Sequence, residues 1–251
     1  FLKKILTPLC AACALIFGQA QAQPAAQVPP PLPDAPVRAA PPALPAPVGG
    51  PSDSVLLDMR EAFRRGDKAR LAALLPAARG HALEPWAAYW ELKARLEDAS
   101  AQDVQDFLTR YAGTYQEDRL RNDWLLLSGK RRDWAAFDAH YPQFRMRDDR
   151  EVRCYAVASA IYQGRAVAPE AAEQVRTDWF AQRDLDDGCL LAAGALHQAG
   201  QLPYQDLWKK ARLAIEANRP TLARAAVELD APDVGAEVAQ IQSSPMRYLT
   251  S

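Results

Sequence analysis

Glycine is scarce in this chain, at 12 of 251 residues. A turn-rich all-β fold is therefore excluded. Neither a G-x-G-x-x-G dinucleotide fingerprint nor a Gly-rich phosphate loop occurs in it. Charge of one sign is also lacking. Lys+Arg 30 against Asp+Glu 31 gives a net charge of −1, which argues against a dedicated nucleic-acid binder. Histidine is limited to three residues, His81, His140 and His197. None stands in an H-E-x-x-H pattern or a Cys/His cluster, so neither a metal nor a cofactor is expected. The G-x-S-x-G elbow of serine hydrolases is missing as well. Glycoside cleavage needs one or two positioned carboxylates. The acidic pairs Asp148-Asp149 and Asp186-Asp187 fall at predicted helix starts, where capping and the helix dipole account for them. The length allows one large domain or two small ones.

Proline is abundant, at 20 residues, and its distribution divides the chain. Lys3 and Lys4 precede an apolar stretch from Ile5 to Gly18, followed by Ala20-Gln21-Ala22. This is the layout of a secretory signal peptide over residues 1–22, with Ala20 and Ala22 as the cleavage signal. The stretch contains Pro8 and is shorter than the about 20 apolar residues of a bilayer span, so no permanent membrane span is expected. Cys13 after Ala11-Ala12 offers a weak lipoprotein alternative, with Cys10 where a Leu is expected. Residues 23–51 then form a Pro-rich linker, and residues 24–51 hold eleven of the prolines. Such a segment cannot build a packed core and favours extended polyproline II, which suits a spacer. Its PPPLP run is also formally an SH3-type ligand. The chain opens on Phe1, and a fragment is expected at both ends.

From Ser52 onward the apolar period is 3.6 and no strand pattern competes. Asp53, Asp67, Ser100, Asp133, Asp149 and Asp186 or Asp187 are candidate N-caps; Pro85, Pro169, Pro203, Pro220 and Pro232 are candidate first-turn prolines. Gly66, Gly80, Gly113, Gly129, Gly164 and Gly200 are candidate stops. About twelve helices joined by short turns result. Each carries an apolar stripe that a neighbour must cover, so residues 52–251 are expected to form an all-α, superhelical α-solenoid of antiparallel helix pairs. The tryptophans Trp86, Trp90, Trp124, Trp134, Trp179 and Trp208 read as packing anchors, with a sugar-binding surface as the functional alternative. The basic run Lys130-Arg131-Arg132 reads as a solvated turn, or as a contact for an anionic polymer such as peptidoglycan. Export would leave Cys154 and Cys189 in an oxidising compartment. They allow one intramolecular bridge, worth about 3 kcal/mol by loop-closure entropy; two separate buried thiols are the other reading.

Four segments then stand in a recognisable order: LRNDWLLLSGKRRDWAAFDAHYP, RCYAVASAIYQGR, DDGCLLAAGALHQAGQL and LWKKARLAIEANRPTLARAAVEL. The pieces that carry the order are Arg132-Asp133-Trp134-Ala135-Ala136-Phe137, Arg153-Cys154-Tyr155, Asp187-Gly188-Cys189, Trp208 with Arg212, and Leu222-Ala223-Arg224. Over about residues 55–240 this resembles the N-terminal superhelical domain of the soluble lytic transglycosylase family. The resemblance implies pairing of Cys154 with Cys189. It further implies a ring of paired helices ahead of a linker domain and a lysozyme-like domain, which cleaves the MurNAc–GlcNAc bond of peptidoglycan with a 1,6-anhydro product. The family's catalytic Glu usually sits in a Glu-Ser dipeptide, and none occurs here. No catalytic residue is therefore expected in these 251 residues, and the helical domain is expected to be truncated at its C-terminus.

The resulting expectation is the N-terminal portion of a periplasmic peptidoglycan lytic transglycosylase, a lyase acting on glycosidic bonds. Its helical domain would guide glycan strands, with cell-wall assembly proteins as candidate partners. The alternative is a periplasmic helical-repeat interaction protein without enzyme activity.

Overall fold

The computed structural model describes residues 52–244 and residue 246; the expected signal segment with Ala20 and Ala22, Cys10, Cys13 and the Pro-rich linker lie outside the described residues. Twelve α-helices follow one another, and no strand occurs among the described residues. They are α1 (Asp53–Arg65), α2 (Lys68–Ala78), α3 (Glu84–Ala94), α4 (Ala101–Arg110), α5 (Tyr115–Arg131), α6 (Trp134–His140), α7 (Arg150–Tyr162), α8 (Pro169–Ala181), α9 (Asp187–Gln198), α10 (Tyr204–Glu216), α11 (Pro220–Glu228) and α12 (Gly235–Ser243). Three single 3₁₀ turns interrupt the connections, at Leu96–Asp98, Tyr141–Gln143 and Pro232–Val234.

The packing order is that of an all-α solenoid. Odd-numbered helices form one row, α1 on α3, α3 on α5, α5 on α7 and α7 on α9. The even-numbered α2, α4, α6 and α8 pack against the odd helices beside them. From α10 the order becomes simple succession, α10 on α11 and α11 on α12. The core is correspondingly a chain of local clusters. Met59 and Leu71 centre the first, Val104 and Leu120 the second, Phe137 and Tyr155 the third, and Trp179, Leu196 and Leu207 the last. Each helix pair thus buries its stripe against its neighbours.

Local chemistry sets most boundaries. The Asp67, Asp133, Asp149 and Asp186 carboxylates accept from the backbone N–H three residues on, at 2.9, 3.0, 3.2 and 2.8 Å. Ser100 and Asp103 cap each other reciprocally. Pro203 is the N-cap of α10 and not its first-turn residue, and three other boundaries also differ from the sequence expectation. Ser52, not Asp53, caps α1, and Asp53 becomes the first helical residue. Pro232 opens a 3₁₀ turn, with α12 starting at Gly235.

The third difference has structural weight. Gly129 does not stop α5, which continues to Arg131 and closes on Arg132 at φ 59°. Gly129 serves a close approach instead of a turn. A Cβ there would lie 2.4 Å from Cδ2 of Tyr155 on α7. The same device recurs one helix further on: a Cβ on Gly188 would lie 2.7 Å from Cγ of Glu151. Between these approaches, Cys154 of α7 and Cys189 of α9 form a disulfide with Cα atoms 4.9 Å apart, across a sequence separation of 35.

Lys210 of α10 is 2% exposed, and its ammonium closes the C-terminal end of α8. Nζ donates to the carbonyls of Trp179 at 2.6 Å, Gln182 at 2.7 Å and Phe180 at 3.3 Å. These are carbonyls that a helix end leaves without partners. Burial, followed by the Arg150 charge, pulls the Lys210 pKa down to about 8.

Two predictions follow from these contacts. G129A should lower the unfolding free energy by about 1–3 kcal/mol in urea titrations, the usual cost of overpacking. K210M should lose about 2–4 kcal/mol, because three buried carbonyls lose their donor. Lys210 is a base whose folded pKa lies below its unfolded one. Between pH 8 and 10.5 the unfolded chain therefore binds more protons, and the stability advantage of the wild type over K210M should grow as pH rises through that window.

Candidate functional site

A groove of about 710 Å³ crosses the row of odd helices. The turn after α3 contributes Glu97, α3 contributes Lys93, and α5 contributes Asp123, Leu126, Leu127 and Lys130. Glu151 and Tyr155 of α7 and Asp186 and Asp187 at the start of α9 complete the opposite wall. Its floor is apolar and its rim is charged in both signs.

Most of the rim charges are already committed. Asp123 is buried on α5, where its carboxylate accepts from the Tyr89 hydroxyl at 2.7 Å and pairs with Lys93 at 2.7 Å. Lys68 pairs with Asp98 at 3.0 Å. Asp186 caps α9 and also takes Arg150 Nη2 at 2.9 Å. Asp187 is held hardest. Arg132 grips it with Nη2 at 2.9 Å and Nη1 at 2.5 Å, and the Tyr155 hydroxyl donates to Oδ2 at 2.6 Å. The Arg132 bonds, then the Tyr155 bond, hold the Asp187 carboxyl below the ordinary carboxylate range; burial beside Asp187 pushes the Tyr155 phenol up. Arg132 Nη1 also donates to the Gly129 carbonyl at 2.8 Å, so the residue that ends α5 is pinned from two directions.

Glu151 is different. It is half-buried, its Oε1 accepts the Gly188 N–H at 3.1 Å, and it pairs with no cation among the described residues. Burial raises its pKa, with the Asp186 and Asp149 charges adding to that and the bonds from the Gly188 N–H and the Tyr155 hydroxyl opposing it. A carboxyl pushed up beside one pushed down is the signature of acid–base pairs in glycosidases. Here the second member is held in place: Oδ2 of Asp187 accepts from both Arg132 and Tyr155, and Oδ1 accepts from Arg132.

The structure distributes the candidate residues unevenly. Cys154 and Cys189 are joined behind the groove wall, both fully buried. The basic run is exposed at the C-terminal end of α5, with Arg132 as its cap. Lys130 faces the groove, Arg131 donates to the Glu97 carbonyl at 2.5 Å, and Arg132 is locked on Asp187. No tryptophan lines the groove. Trp179 and Trp124 are buried; Trp134 packs on Phe137, Tyr155 and Tyr162, and Trp86 and Trp90 stack on each other. His81 bonds Asp53 at 2.8 Å, His197 bonds the Leu202 carbonyl at 2.9 Å, and His140 is kept low in pKa by burial and by Arg121. Among the described residues no three His, Cys, Asp or Glu side chains gather in a metal-binding group. Asp123, Glu151 and Tyr155 were not singled out from sequence as groove residues. The only sequence signal for Asp123 was a polar stretch, RND, where an apolar stripe is expected.

Y155F should cost about 1–3 kcal/mol in thermal or urea unfolding, since a charge-assisted hydrogen bond is lost while the ring still fills the space above Gly129. A loss under 0.3 kcal/mol would show that the Tyr155–Asp187 bond does not hold this wall.

No family model matches the chain. No curated protein matches it. Among solved structures, the chain is similar to the X-ray structure of an inactive mutant of the lytic transglycosylase Slt from Pseudomonas aeruginosa, at 27% identity and a TM-score of 0.49, over 78% of this chain and 31% of that one. The chain thus spans less than a third of the length of that structure.

Proposed function

We propose that this chain is the helical scaffold of a periplasmic peptidoglycan lytic transglycosylase, and that the groove across α3, α5, α7 and α9 guides a glycan strand toward a catalytic domain lying outside these 251 residues. One observation carries the reading. The segments behind the family resemblance are far apart in sequence, yet Arg132, Tyr155 and Asp187 meet in one hydrogen-bonded joint on the groove wall. Cys154 and Cys189 are bonded behind the same wall. A motif whose residues converge on one surface element is better explained by a shared scaffold than by chance spacing.

Three further points support it. A buried disulfide suits an oxidising compartment, and with the leader at residues 1–22 it favours the periplasm. No helix among the described residues is long and apolar enough to cross a membrane. The groove offers charged groups of both signs over an apolar floor, which suits a surface that guides a polymer, and the absence of a Glu-Ser dipeptide favours a catalytic residue outside these 251 residues.

The test is to express the complete coding sequence and digest purified sacculi. The products are read by mass spectrometry. The expected result is 1,6-anhydromuropeptides from the full product and none from residues 23–251 alone. No anhydro product from the full-length protein would sink the enzyme reading and favour a non-enzymatic helical-repeat interaction protein.

A further inference from the structure

The groove holds two charges that the fold leaves uncommitted beside α9. The first is Glu151, whose carboxylate is half-buried, is bonded by the Gly188 N–H and the Tyr155 hydroxyl, and pairs with no cation among the described residues. Its neighbours Asp186 and Asp187 are already matched by Arg150 and Arg132, and the Cβ-less Gly188 lets the α9 backbone close on it. The second is Lys130. Lys68 and Lys93 each have a carboxylate partner, whereas Lys130 has none within ion-pair distance among the described residues. Lys130 nevertheless adds to the field that lowers Asp187, so both charges act on the same helix start. Lys130 and Glu97, the remaining unpaired carboxylate of the groove, are both exposed to solvent; Glu151 is the half-buried one.

A half-buried carboxylate without a cation costs desolvation energy that a purely structural residue would not be selected to bear. The acidic surroundings that raise its pKa are the surroundings that attract an ammonium. A cation one wall away, on α5, is placed to meet an anion. A neutral sugar hydroxyl satisfies neither charge.

We propose that the groove recognises a zwitterionic amino-acid head, with its ammonium on Glu151 and its carboxylate on Lys130, and so reads the peptide arm carried by the glycan strand it guides. The inference rests on the reading of the groove as a cell-wall surface. It adds that the specificity of the scaffold is for the stem peptide, through an amino acid whose amine and carboxylate are both free.

The experiment is calorimetric titration of the purified protein with three probes. They are a sugar-free stem tetrapeptide containing meso-diaminopimelate, the same peptide with its free amine acetylated, and a peptide-free glycan oligomer. The tetrapeptide should bind the wild type. E151Q should weaken it about tenfold, as expected for one charge-assisted contact, and K130Q should weaken it several-fold. Acetylation should weaken binding to the wild type equally and leave no further effect of E151Q. That control uses the unaltered protein, so it holds even if a variant folds poorly. Tetrapeptide binding that ignores both E151Q and acetylation would overturn the inference. Glycan binding without tetrapeptide binding would overturn it too, while leaving the scaffold reading intact. Failure of both ligands to bind would take both readings down.

Discussion

The close approach of α5, α7 and α9 is the constraint on which the middle of this solenoid depends. Helix axes usually sit 8–10 Å apart, and side chains at the crossing set that spacing. Here two crossings are made with a missing Cβ. Gly129 receives the flat ring of Tyr155, and Gly188 receives the stem and backbone carbonyl of Glu151. Tight crossings place polar ends within reach that longer spacings would separate. The Tyr155 hydroxyl reaches Asp187, and Arg132 reaches both Asp187 and the last carbonyls of its own helix. The Cys154–Cys189 bond lies on the same pair of helices. Its entropic worth of about 3 kcal/mol acts on the unfolded chain, whereas the glycine contacts act on the folded one.

This joint explains why α5 can carry so much charge into the interior. Glu117, Asp118, Arg121, Asn122 and Asp123 are all buried, a pattern that costs free energy where groups go unmatched. Most but not all of their polar atoms are matched, Arg121 Nε and Asn122 Oδ1 being the exceptions. Asp118 accepts the backbone N–H groups of Arg145 and Met146 at 3.0 and 2.8 Å, and Asn122 donates to Asp149 at 3.1 Å. Glu117 is shared by Arg121 and Arg145. These bonds fasten the segment between α6 and α7, and so deliver Asp149 to its capping position. The polar face of α5 therefore does for the loop what the apolar face does for its neighbours.

The helices and most of their caps were legible in the sequence, because capping is local chemistry. Asp67, Ser100, Asp133 and Asp149 each act within three residues of themselves. The misreadings share one cause. Gly129 was read as a stop because a glycine's need for positive φ is visible in sequence, whereas its need for a missing Cβ depends on Tyr155, 26 positions on. Asp187 and Asp186 were equivalent as caps; only the distant Arg132 and Tyr155 separate their roles. The groove itself had no sequence signature, since Lys93, Asp123, Lys130 and Glu151 come from three helices that only tertiary packing aligns.

The contrast between Asp187 and Glu151 then decides what kind of surface this is. Two carboxylates meet at the start of α9, Asp187 as its first residue and Glu151 reaching it from α7. Asp187 is matched by a guanidinium and a phenol. Glu151 is held by the Gly188 amide and the Tyr155 hydroxyl and has no cation among the described residues. A guiding surface needs both kinds of group. Rigid walls keep the ordering cost of binding low, and uncommitted charges on those walls supply selectivity, because a ligand lacking an ammonium leaves the half-buried Glu151 without a cation.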